Sequence, residues 1–282
     1  MLIFWVLSGL VAFYLVLTFV LSFVVQAFPR HPVSDPPDWG SIEDTFIPAV
    51  DGGKLEVWRI EPPGKSRGIV LLAHGWGRNR DRMVNRARMF GDMGYTTVLH
   101  SARDHGNSSP RYVMTALRFA EDIEAVMEWI GEEIILYGHS AGAGAAIITA
   151  WRKPEHIQLL FLEAEYAYTR PALLSLYRWF NRVVGSLLGP MILFWMNLYY
   201  RGALDRLSPA RLAPGVRAPV LIIHGENDSR FPVHFARELH QSFVPEQATL
   251  FIAPGAGHSD SSTRPGYRKA VQAFLYKTCR RH

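Results

Sequence analysis

The sequence predicts a mostly parallel α/β sheet with helices on both faces, preceded by one long apolar helix. Three observations support this fold class. Short apolar runs alternate with helix-length segments over most of the 282 residues. These runs are apolar at successive positions, which is typical of strands buried on both faces. The length fits one large domain of about 250 residues with an appendage.

Residues 1–28 predict a transmembrane anchor. No Asp, Glu, Lys, Arg or His occurs before Arg30, and the run exceeds the roughly 20 residues that cross a bilayer core. A signal peptide is the alternative, with Val25-Gln26-Ala27 as a weak cleavage site. The basic n-region is missing, however, and the apolar stretch is about twice as long as an ordinary h-region. Arg30 follows the span without a basic residue before it, which slightly favours a cytoplasmic main domain.

Residues 29–44 are rich in proline and acidic residues and predict a linker, so the main domain is expected over residues 45–282. A β-hairpin should open it, with strands at 45–50 and 54–60 around Asp51-Gly52-Gly53. Further strands are predicted at 68–75, 95–102, 133–138, 159–165, 219–225 and 248–255, and helices at 80–93, 112–130, from 140 onward, 231–243 and 266–277.

The composition limits the classes of site and partner. Cys279 is the only cysteine, which excludes an intrachain disulfide and a cysteine-based zinc cluster. A net charge of +5 suits an anionic membrane surface or an anionic substrate. His100, His105 and His224 lack the spacing of a metal-ligand set, so we expect no metal and no other cofactor. Aromatic residues cluster in apolar runs rather than among basic residues, so nucleic-acid binding is not expected.

A serine between two glycines lies at the end of a predicted strand, in Gly138-His139-Ser140-Ala141-Gly142. A serine hydroxyl becomes a nucleophile only with a base in reach and a carboxylate that orients the base. In a parallel sheet such groups meet at the carboxyl ends of the strands. Asp228 and His258 each follow a later strand, three residues after Gly225 and Gly255, in the chain order Ser, Asp, His. The pattern predicts Ser140 as nucleophile, Asp228 as acid and His258 as base, with Glu226 as the competitor of Asp228.

The loop after the first parallel strand, LLAHGWGRNR, should complete this site. The backbone N–H groups of Trp76 and Ala141 are predicted to form an oxyanion hole. His74 is expected to brace the loop, and His139 to pack beside the nucleophile.

Residues 169–204 are rich in aromatic residues and leucine, and 183–200 carry no charge, which is of borderline length for a second span. A single crossing here would separate Ser140 from its partners, and Gly189-Pro190 would interrupt the helix midway. We therefore expect a lid that could dip into lipid.

Arg78, Arg82 and Arg86 recur every four residues, which predicts a solvated charged face, with contact to lipid phosphates as the alternative.

Several of these motifs together resemble the α/β-hydrolase superfamily: H-G-W-G, G-H-S-A-G, PVLIIHGENDSRFP, GAGHSD and ARDHGNSS. The nearest resemblance is to membrane-anchored serine hydrolases of the BEM46/ABHD13-like kind, over residues 45–278. It implies an α/β-hydrolase fold and the same roles for Ser140, Asp228 and His258. The lid matches no pattern of this family.

The resemblance implies a serine hydrolase that cleaves carboxylic esters or related acyl bonds through an acyl-enzyme on Ser140. The aromatic lid and the anchor favour small apolar or lipid-like ester substrates. Peptidases and thioesterases share this machinery and remain alternatives. A non-catalytic, membrane-tethered binding protein on the same fold is the more distant alternative.

Overall fold

A computed structural model describes residues 1–27 and 30–279 of the chain. The strands are β1 (Ser41–Pro48), β2 (Lys54–Glu61), β3 (Ile69–Ala73), β4 (Thr96–His100), β5 (Ile134–His139), β6 (Ile157–Glu163), β7 (Val220–Gly225) and β8 (Ala248–Ala253). The helices are α1 (Leu2–Val24), α2 (Val84–Asp92), α3 (Ala116–Ile130), α4 (Ala141–Arg152), α5 (Thr169–Phe180), α6 (Arg182–Tyr199), α7 (Ala203–Arg206), α8 (Pro209–Leu212), α9 (His234–Ser242) and α10 (Tyr267–Cys279). The predicted junction of anchor and linker at residues 28 and 29, and the last three residues of the predicted main domain, lie outside the described residues.

The strands form one sheet in the order β1-β2-β4-β3-β5-β6-β7-β8. β1 and β2 are antiparallel to each other and β2 is antiparallel to β4, whereas the strands from β3 to β8 run parallel. The predicted mostly parallel α/β sheet with a leading hairpin is therefore confirmed. β1 begins at Ser41, four residues before the predicted start, because its ladder with β2 continues as far as Glu61.

Alternate residues of the central strands enter two cores, one on each face of the sheet. Leu71 of β3 packs in the core beneath α3 and α4, while its neighbours Val70 and Leu72 pack in the core beneath α2 and α10. All three side chains are fully buried. Strands buried on both faces explain why the sequence shows continuous apolar runs instead of alternation.

Two helix predictions are corrected by the structure. α3 begins at Ala116, four residues later than predicted, because Thr115 caps it by accepting the N–H of Arg118, while Tyr112 has a left-handed φ of 68°. α6 continues through Gly189-Pro190, so the predicted interruption is wrong. A residue before proline is usually pushed out of the helical region by contact with its Cβ, and Gly189 has no Cβ.

α5 and α6 form a tight helical hairpin. Asn181 caps α6 by accepting the N–H groups of Val183 and Val184 at 3.1 and 3.0 Å. A Cβ at Gly185 would lie 2.5 Å from the backbone carbonyl of Tyr177, so glycine permits the close approach of the two helices. This hairpin occupies most of the predicted lid.

α1 is long and apolar enough to cross a membrane, by length and composition, with a mean hydropathy of 2.4 and few buried residues. It packs along α6. Trp195 donates to the Thr18 hydroxyl at 3.1 Å, and Tyr199 donates to the carbonyl oxygen of Ser22 at 3.0 Å. Phe23 stacks on Tyr199 with ring centroids 4.9 Å apart. Thr18 and Ser22, the buried residues of α1, thus face α6, while most of its apolar side chains are exposed.

Candidate active site

Ser140 lies in the sharp turn between β5 and α4. Its backbone has φ 54° and ψ −119°, a conformation that L-residues rarely adopt. A Cβ at Gly138 would lie 2.4 Å from the carbonyl oxygen of Gly142, and a Cβ at Gly142 would lie 2.5 Å from that of His74. The two glycines of the motif are therefore steric requirements of the turn. The Ser140 N–H donates to the carbonyl oxygen of Glu163 at 2.8 Å, which fixes the turn to β6.

The structure brings Ser140, His258 and Asp228 together. The Ser140 Oγ lies 2.9 Å from His258 Nε2, and His258 Nδ1 lies 2.7 Å from Asp228 Oδ2. Burial acts to raise the pKa of Asp228, but hydrogen bonds from His258 and from the Phe231 N–H outweigh it and lower that pKa. The ionised Asp228 can only accept, so the imidazole proton lies on Nδ1 and Nε2 is left to accept from the serine hydroxyl.

Glu226, the competitor of Asp228, lies elsewhere. It is exposed, and its Oε2 accepts the N–H of Gly255 at 2.8 Å. Asp228 is the carboxylate that meets His258, because the turn after β7 directs its side chain under the imidazole and two backbone N–H groups, of Arg230 and Phe231, bind its other oxygen at 2.9 and 3.0 Å.

Residues 74–79 form the β3 loop, which lies against the turn that carries Ser140. A Cβ at Gly75 would be 3.1 Å from the Cβ of Ser140. His74 Nε2 accepts the N–H of Ala102 at 3.0 Å, and its Nδ1 lies 2.7 Å from the carbonyl oxygen of Gly75. These contacts are those expected of a residue that braces the loop.

His105 is a second support of the β3 loop, a role that its spacing from other histidines does not reveal. Its Nε2 accepts the N–H of Gly77 at 3.1 Å, and its Nδ1 donates to the carbonyl oxygen of Arg103 at 2.8 Å. Burial lowers the pKa of both His74 and His105, which keeps the accepting nitrogens unprotonated. The signal in the sequence was the position of His105 within ARDHGNSS, directly after β4.

Comparisons with known proteins identify the superfamily of the chain. A family model described as "Serine aminopeptidase, S33" matches residues 64–208, just over half of the chain, and one described as "TAP-like protein" matches residues 204–280. The chain belongs to the α/β-hydrolase superfamily. It is therefore a hydrolase of this superfamily, as its motifs predicted.

Two relatives and one solved structure illustrate the range of matches to this hydrolase. It is 24% identical to the uncharacterized protein YqkD of Bacillus subtilis, over 81% of this chain and 77% of that one. It is 23% identical to a monoacylglycerol lipase of Mycolicibacterium smegmatis, over 72% of this chain and 84% of that one. The esterase Pf2001 of Pyrococcus furiosus has the same fold, with a TM-score of 0.71 at 19% identity, over 89% of this chain and 98% of that one. These matches do not distinguish the BEM46/ABHD13-like branch, and that finer resemblance stays a prediction.

His100 and His224, the other two histidines considered as metal ligands, are both buried. Within residues 1–27 and 30–279, no group of three or more His, Cys, Asp or Glu is arranged to hold a metal ion. His224 Nε2 donates to the carbonyl oxygen of Phe231 at 2.7 Å, behind Asp228. Burial lowers the pKa of His100 to about 4, so this side chain stays neutral in the core.

The predicted solvated face of Arg78, Arg82 and Arg86 is wrong for Arg86. Arg78 is exposed and Arg82 is half-buried, but Arg86 is only 3% exposed. Its guanidinium binds both carboxylate oxygens of Glu163, at 2.5 and 2.6 Å. The side of α2 that carries Arg86 faces the sheet, and its partner is 77 residues away in the sequence.

The α5–α6 hairpin meets the hydrolase site at its acidic residue. The ring of Phe231 lies edge-on to His258 with centroids 5.1 Å apart, and Tyr166 lies edge-on to Phe231 at 5.2 Å. Trp179 of α5 donates to the Ser229 hydroxyl at 3.1 Å, and the guanidinium of Arg230 lies 4.2 Å from the centre of its ring. The hairpin is thus attached to the loop that carries Asp228.

A cavity of about 220 Å³ opens between the end of α1 and the β3 loop. It is lined by Gln26, Ala27, Arg30, Trp76, Asp104, His105, Pro110, Tyr112 and Met114. Ser140 and His258 are not among these residues. The cavity therefore borders the predicted oxyanion loop without containing the nucleophile.

Proposed function

We propose that this hydrolase cleaves carboxylic esters, or a related acyl bond, through an acyl-enzyme on Ser140. One observation carries the proposal. Ser140 Oγ, His258 and Asp228 form a continuous hydrogen-bonded chain, with links of 2.9 and 2.7 Å, at a serine held in a strained turn. A nucleophile needs such a chain, because it removes the hydroxyl proton as the new bond forms.

The first half-reaction forms the acyl-enzyme. Ser140 Oγ attacks the acyl carbonyl carbon while His258 Nε2 takes the hydroxyl proton. Asp228 stabilises the imidazolium and holds its orientation through the Nδ1 hydrogen bond. His258 then gives the proton to the leaving alcohol as the tetrahedral intermediate collapses.

The negative charge on the carbonyl oxygen needs donors in place before the reaction. Ala141 is the first residue of α4, and the first N–H groups of a helix have no intrahelical acceptor. The N–H of Trp76, on the β3 loop beside Ser140, is the proposed second donor. The positive end of the α4 dipole adds to the same stabilisation.

The second half-reaction uses water. His258 removes a proton from water as the water oxygen attacks the acyl carbonyl. It then returns that proton to Ser140 Oγ. The products are a carboxylic acid and the regenerated enzyme, and no cofactor enters either step.

Apolar or lipid-like esters fit the surroundings of the site best. The inner surface of the lid is built from aromatic and aliphatic residues around Phe231 and Leu176. The helix α1, packed along α6, brings an apolar surface to the lid. The name of the mycobacterial relative, a monoacylglycerol lipase, points to the same class of substrate.

A serine peptidase is the second candidate, favoured by the description of the matching family model as a serine aminopeptidase. A panel with one leaving group and acyl chains of 2 to 16 carbons, compared with aminoacyl anilides and acyl thioesters, separates the candidates. We expect long-chain esters to have the highest kcat/KM. Faster cleavage of anilides would favour the peptidase, and faster cleavage of short soluble esters would overturn the apolar substrate.

We further propose that α1 is an uncleaved membrane anchor and that the hydrolase domain lies on the cytoplasmic side. The support is the span-length apolar helix and the position of Arg30 directly after it. Intact mass and N-terminal sequencing of the membrane fraction test the anchor, because a cleaved signal peptide would leave a chain that begins near residue 28. Protease protection in sealed vesicles of both orientations tests the side.

Labelling with a fluorophosphonate probe tests the nucleophile directly. We expect one label per chain, on Ser140, and none in Ser140→Ala. Ser242→Ala, which changes a half-buried serine at the end of α9, is the control and should label normally. A folded wild-type protein that does not label, or label found on another serine, would overturn the proposal and favour a non-catalytic binding protein.

A further inference from the structure

The carbonyl oxygens of His258 and Ser259 both accept hydrogen bonds from buried side chains. His139 Nε2 lies 3.1 Å from the carbonyl oxygen of His258, and Arg86 Nη2 lies 3.2 Å from that of Ser259. Arg82 adds a longer contact to the same Ser259 oxygen at 3.5 Å. Residues 254–260 form the β8 loop. The backbone of this loop therefore accepts hydrogen bonds from buried side chains at two successive peptide groups.

We propose that Arg86 and His139 are positioning residues, which fix the position of His258 relative to Ser140 by holding the backbone of the β8 loop. The proposal rests on the function proposed above, because it needs His258 to be the base. Neither side chain touches the reacting atoms, and both act through the peptide groups that carry the imidazole.

His139 is fixed in one tautomer. A carbonyl oxygen only accepts, so Nε2 carries the proton and donates to the His258 carbonyl. Burial lowers the pKa of His139 to about 3, which keeps the ring neutral. Within the described residues its Nδ1 has no hydrogen-bond partner, and a Cβ at Gly75 would lie 3.1 Å from it. The ring is thus wedged between the β3 loop and the β8 loop.

Arg86 is fixed by a fork. Its Nε and Nη2 bind the two oxygens of Glu163, whose Oε2 also accepts the Tyr137 hydroxyl at 2.6 Å. Tyr137 in turn lies 2.9 Å from the hydroxyl of Tyr267, at the start of the helix that follows the β8 loop. The planar guanidinium can satisfy Glu163 and still present an N–H to Ser259, which an ammonium cannot do with the same geometry.

Glu163 connects this fork to the nucleophile. Its side chain holds Arg86, and its backbone carbonyl accepts the Ser140 N–H at 2.8 Å. Glu163, at the end of β6, therefore contacts both the turn that carries Ser140 and the arginine that holds the loop of its base. A buried ion pair gives little net stability, because desolvation offsets the attraction. Its geometric consequence is the alignment of the 2.9 Å contact between Ser140 and His258.

Arg86→Lys tests the fork, and Arg80→Lys is the matched control. Arg80 is as deeply buried and forks a carboxylate, Asp44, at 2.7 and 3.1 Å, but Asp44 lies on β1, at the edge of the sheet away from β8. Assayed well below each melting temperature, Arg86→Lys should lower kcat roughly 10- to 100-fold with KM within about 2-fold, since small misplacements of a base have effects of this size. Arg80→Lys should keep its kcat.

The decisive measurement is the same substitution in a His258→Ala background. Because Arg86 acts only through His258, Arg86→Lys should not lower the residual activity of His258→Ala any further. An equal loss in both backgrounds, or equal losses in Arg86→Lys and Arg80→Lys, overturns the proposal. Full activity in Ser140→Ala would instead overturn the proposed function, so the two failures are distinguishable.

His139 gives an independent test that does not disturb an ion pair. His139→Gln can still donate from its amide to the His258 carbonyl and should retain kcat within about 3-fold, whereas His139→Leu cannot donate and should lose roughly 10-fold or more. Equal kcat values for the two variants, both folded by circular dichroism, would contradict a positioning role for His139.

Discussion

The β3 loop and the β8 loop both reach Ser140 from the carboxyl edge of the sheet, but the groups that support them differ in charge. The β3 loop is held by neutral imidazoles, since His74 and His105 accept backbone N–H groups at 3.0 and 3.1 Å. The β8 loop is held mainly by an ion pair, in which Glu163 fixes Arg86 and Arg86 donates to Ser259. Both arrangements bind backbone rather than side chains, so each fixes the loop without covering the reacting atoms. The first depends on histidines that stay unprotonated, whereas the second depends on groups that stay charged.

The largest effect should come from the β8 loop, because it carries His258, the proposed base. His258→Ala should lower kcat roughly 10⁴- to 10⁶-fold with the fold intact. The measurement is kcat on an activated ester, with circular dichroism as the check of folding. His156→Ala removes an exposed histidine next to the opposite end of β6 and serves as the control. A loss below about 100-fold would show that the β8 loop does not carry the base.

The β3 loop should respond less strongly, because its proposed contribution is a backbone donor instead of a proton acceptor. His105→Leu removes the acceptor of the Gly77 N–H and should lower kcat roughly 10- to 100-fold, since a displaced oxyanion donor has an effect of this order. His105→Gln can place its amide oxygen where Nε2 lay and should retain most of the activity. If the two variants behave alike, the imidazole is not what holds the β3 loop to its site.

The groups that support the two loops should also lose their contribution to stability over different pH ranges. Burial lowers the pKa of His74 and His105 below the ordinary value of 6.5, and that of His100 to about 4. The unfolded chain therefore binds protons first as the pH falls below about 6.5, and stability is lost from there downward, by at most about 1.4 kcal/mol per pH unit for each such histidine. Above about pH 6.5 these histidines are neutral in both the folded and the unfolded chain, and the free energy of unfolding no longer changes with their titration.

The ion pair weakens only in stronger acid. The attraction of Arg86 outweighs burial and lowers the pKa of Glu163 below its ordinary 4.5. The contribution of this ion pair to the free energy of unfolding is therefore complete above that pH and declines below it. Urea unfolding at pH 8.0, 6.0 and 5.0 measures the difference. We expect the midpoint to fall across this series in the wild type and to fall less in His105→Gln. An unchanged midpoint between pH 8.0 and 5.0 would contradict the neutral histidines.

The parts of this molecule that the sequence predicted are those encoded in adjacent residues. Gly138 to Gly142 specify the nucleophile turn by steric exclusion, and Asp228 and His258 could be found because strand ends are visible as the ends of apolar runs. The position of the carboxylate relative to its strand also separated Asp228 from Glu226, which the structure places apart from the imidazole.

The parts that were missed depend on contacts between distant segments. Arg86 looked like one of a row of solvated arginines because Glu163 is 77 residues away. The contact of Trp195 with Thr18 spans 177 residues, so the polar face of α1 had no visible partner. His105 had a sequence signal, but its role depends on the N–H of Gly77 across the site. Side-chain chemistry alone does not reveal which backbone group a buried residue will bind.

The smallest effect should come from the contact that attaches the α5–α6 hairpin, the predicted lid, to the loop that carries Asp228. We expect this contact to affect substrate binding without affecting the β3 or β8 loop. Trp179 joins α5 to Ser229 and Arg230 by one hydrogen bond and one cation–π contact, each worth about 1 kcal/mol where partly exposed. Trp179→Ala should therefore raise KM for a long-chain ester roughly 3-fold and leave kcat for a short ester within about 2-fold. Trp179→Phe keeps the ring but not the N–H and should lie between. Equal losses for short and long esters would instead mean that the contact acts on Asp228, because a disturbance of the acid slows every substrate whereas a loosened lid slows only those that reach it.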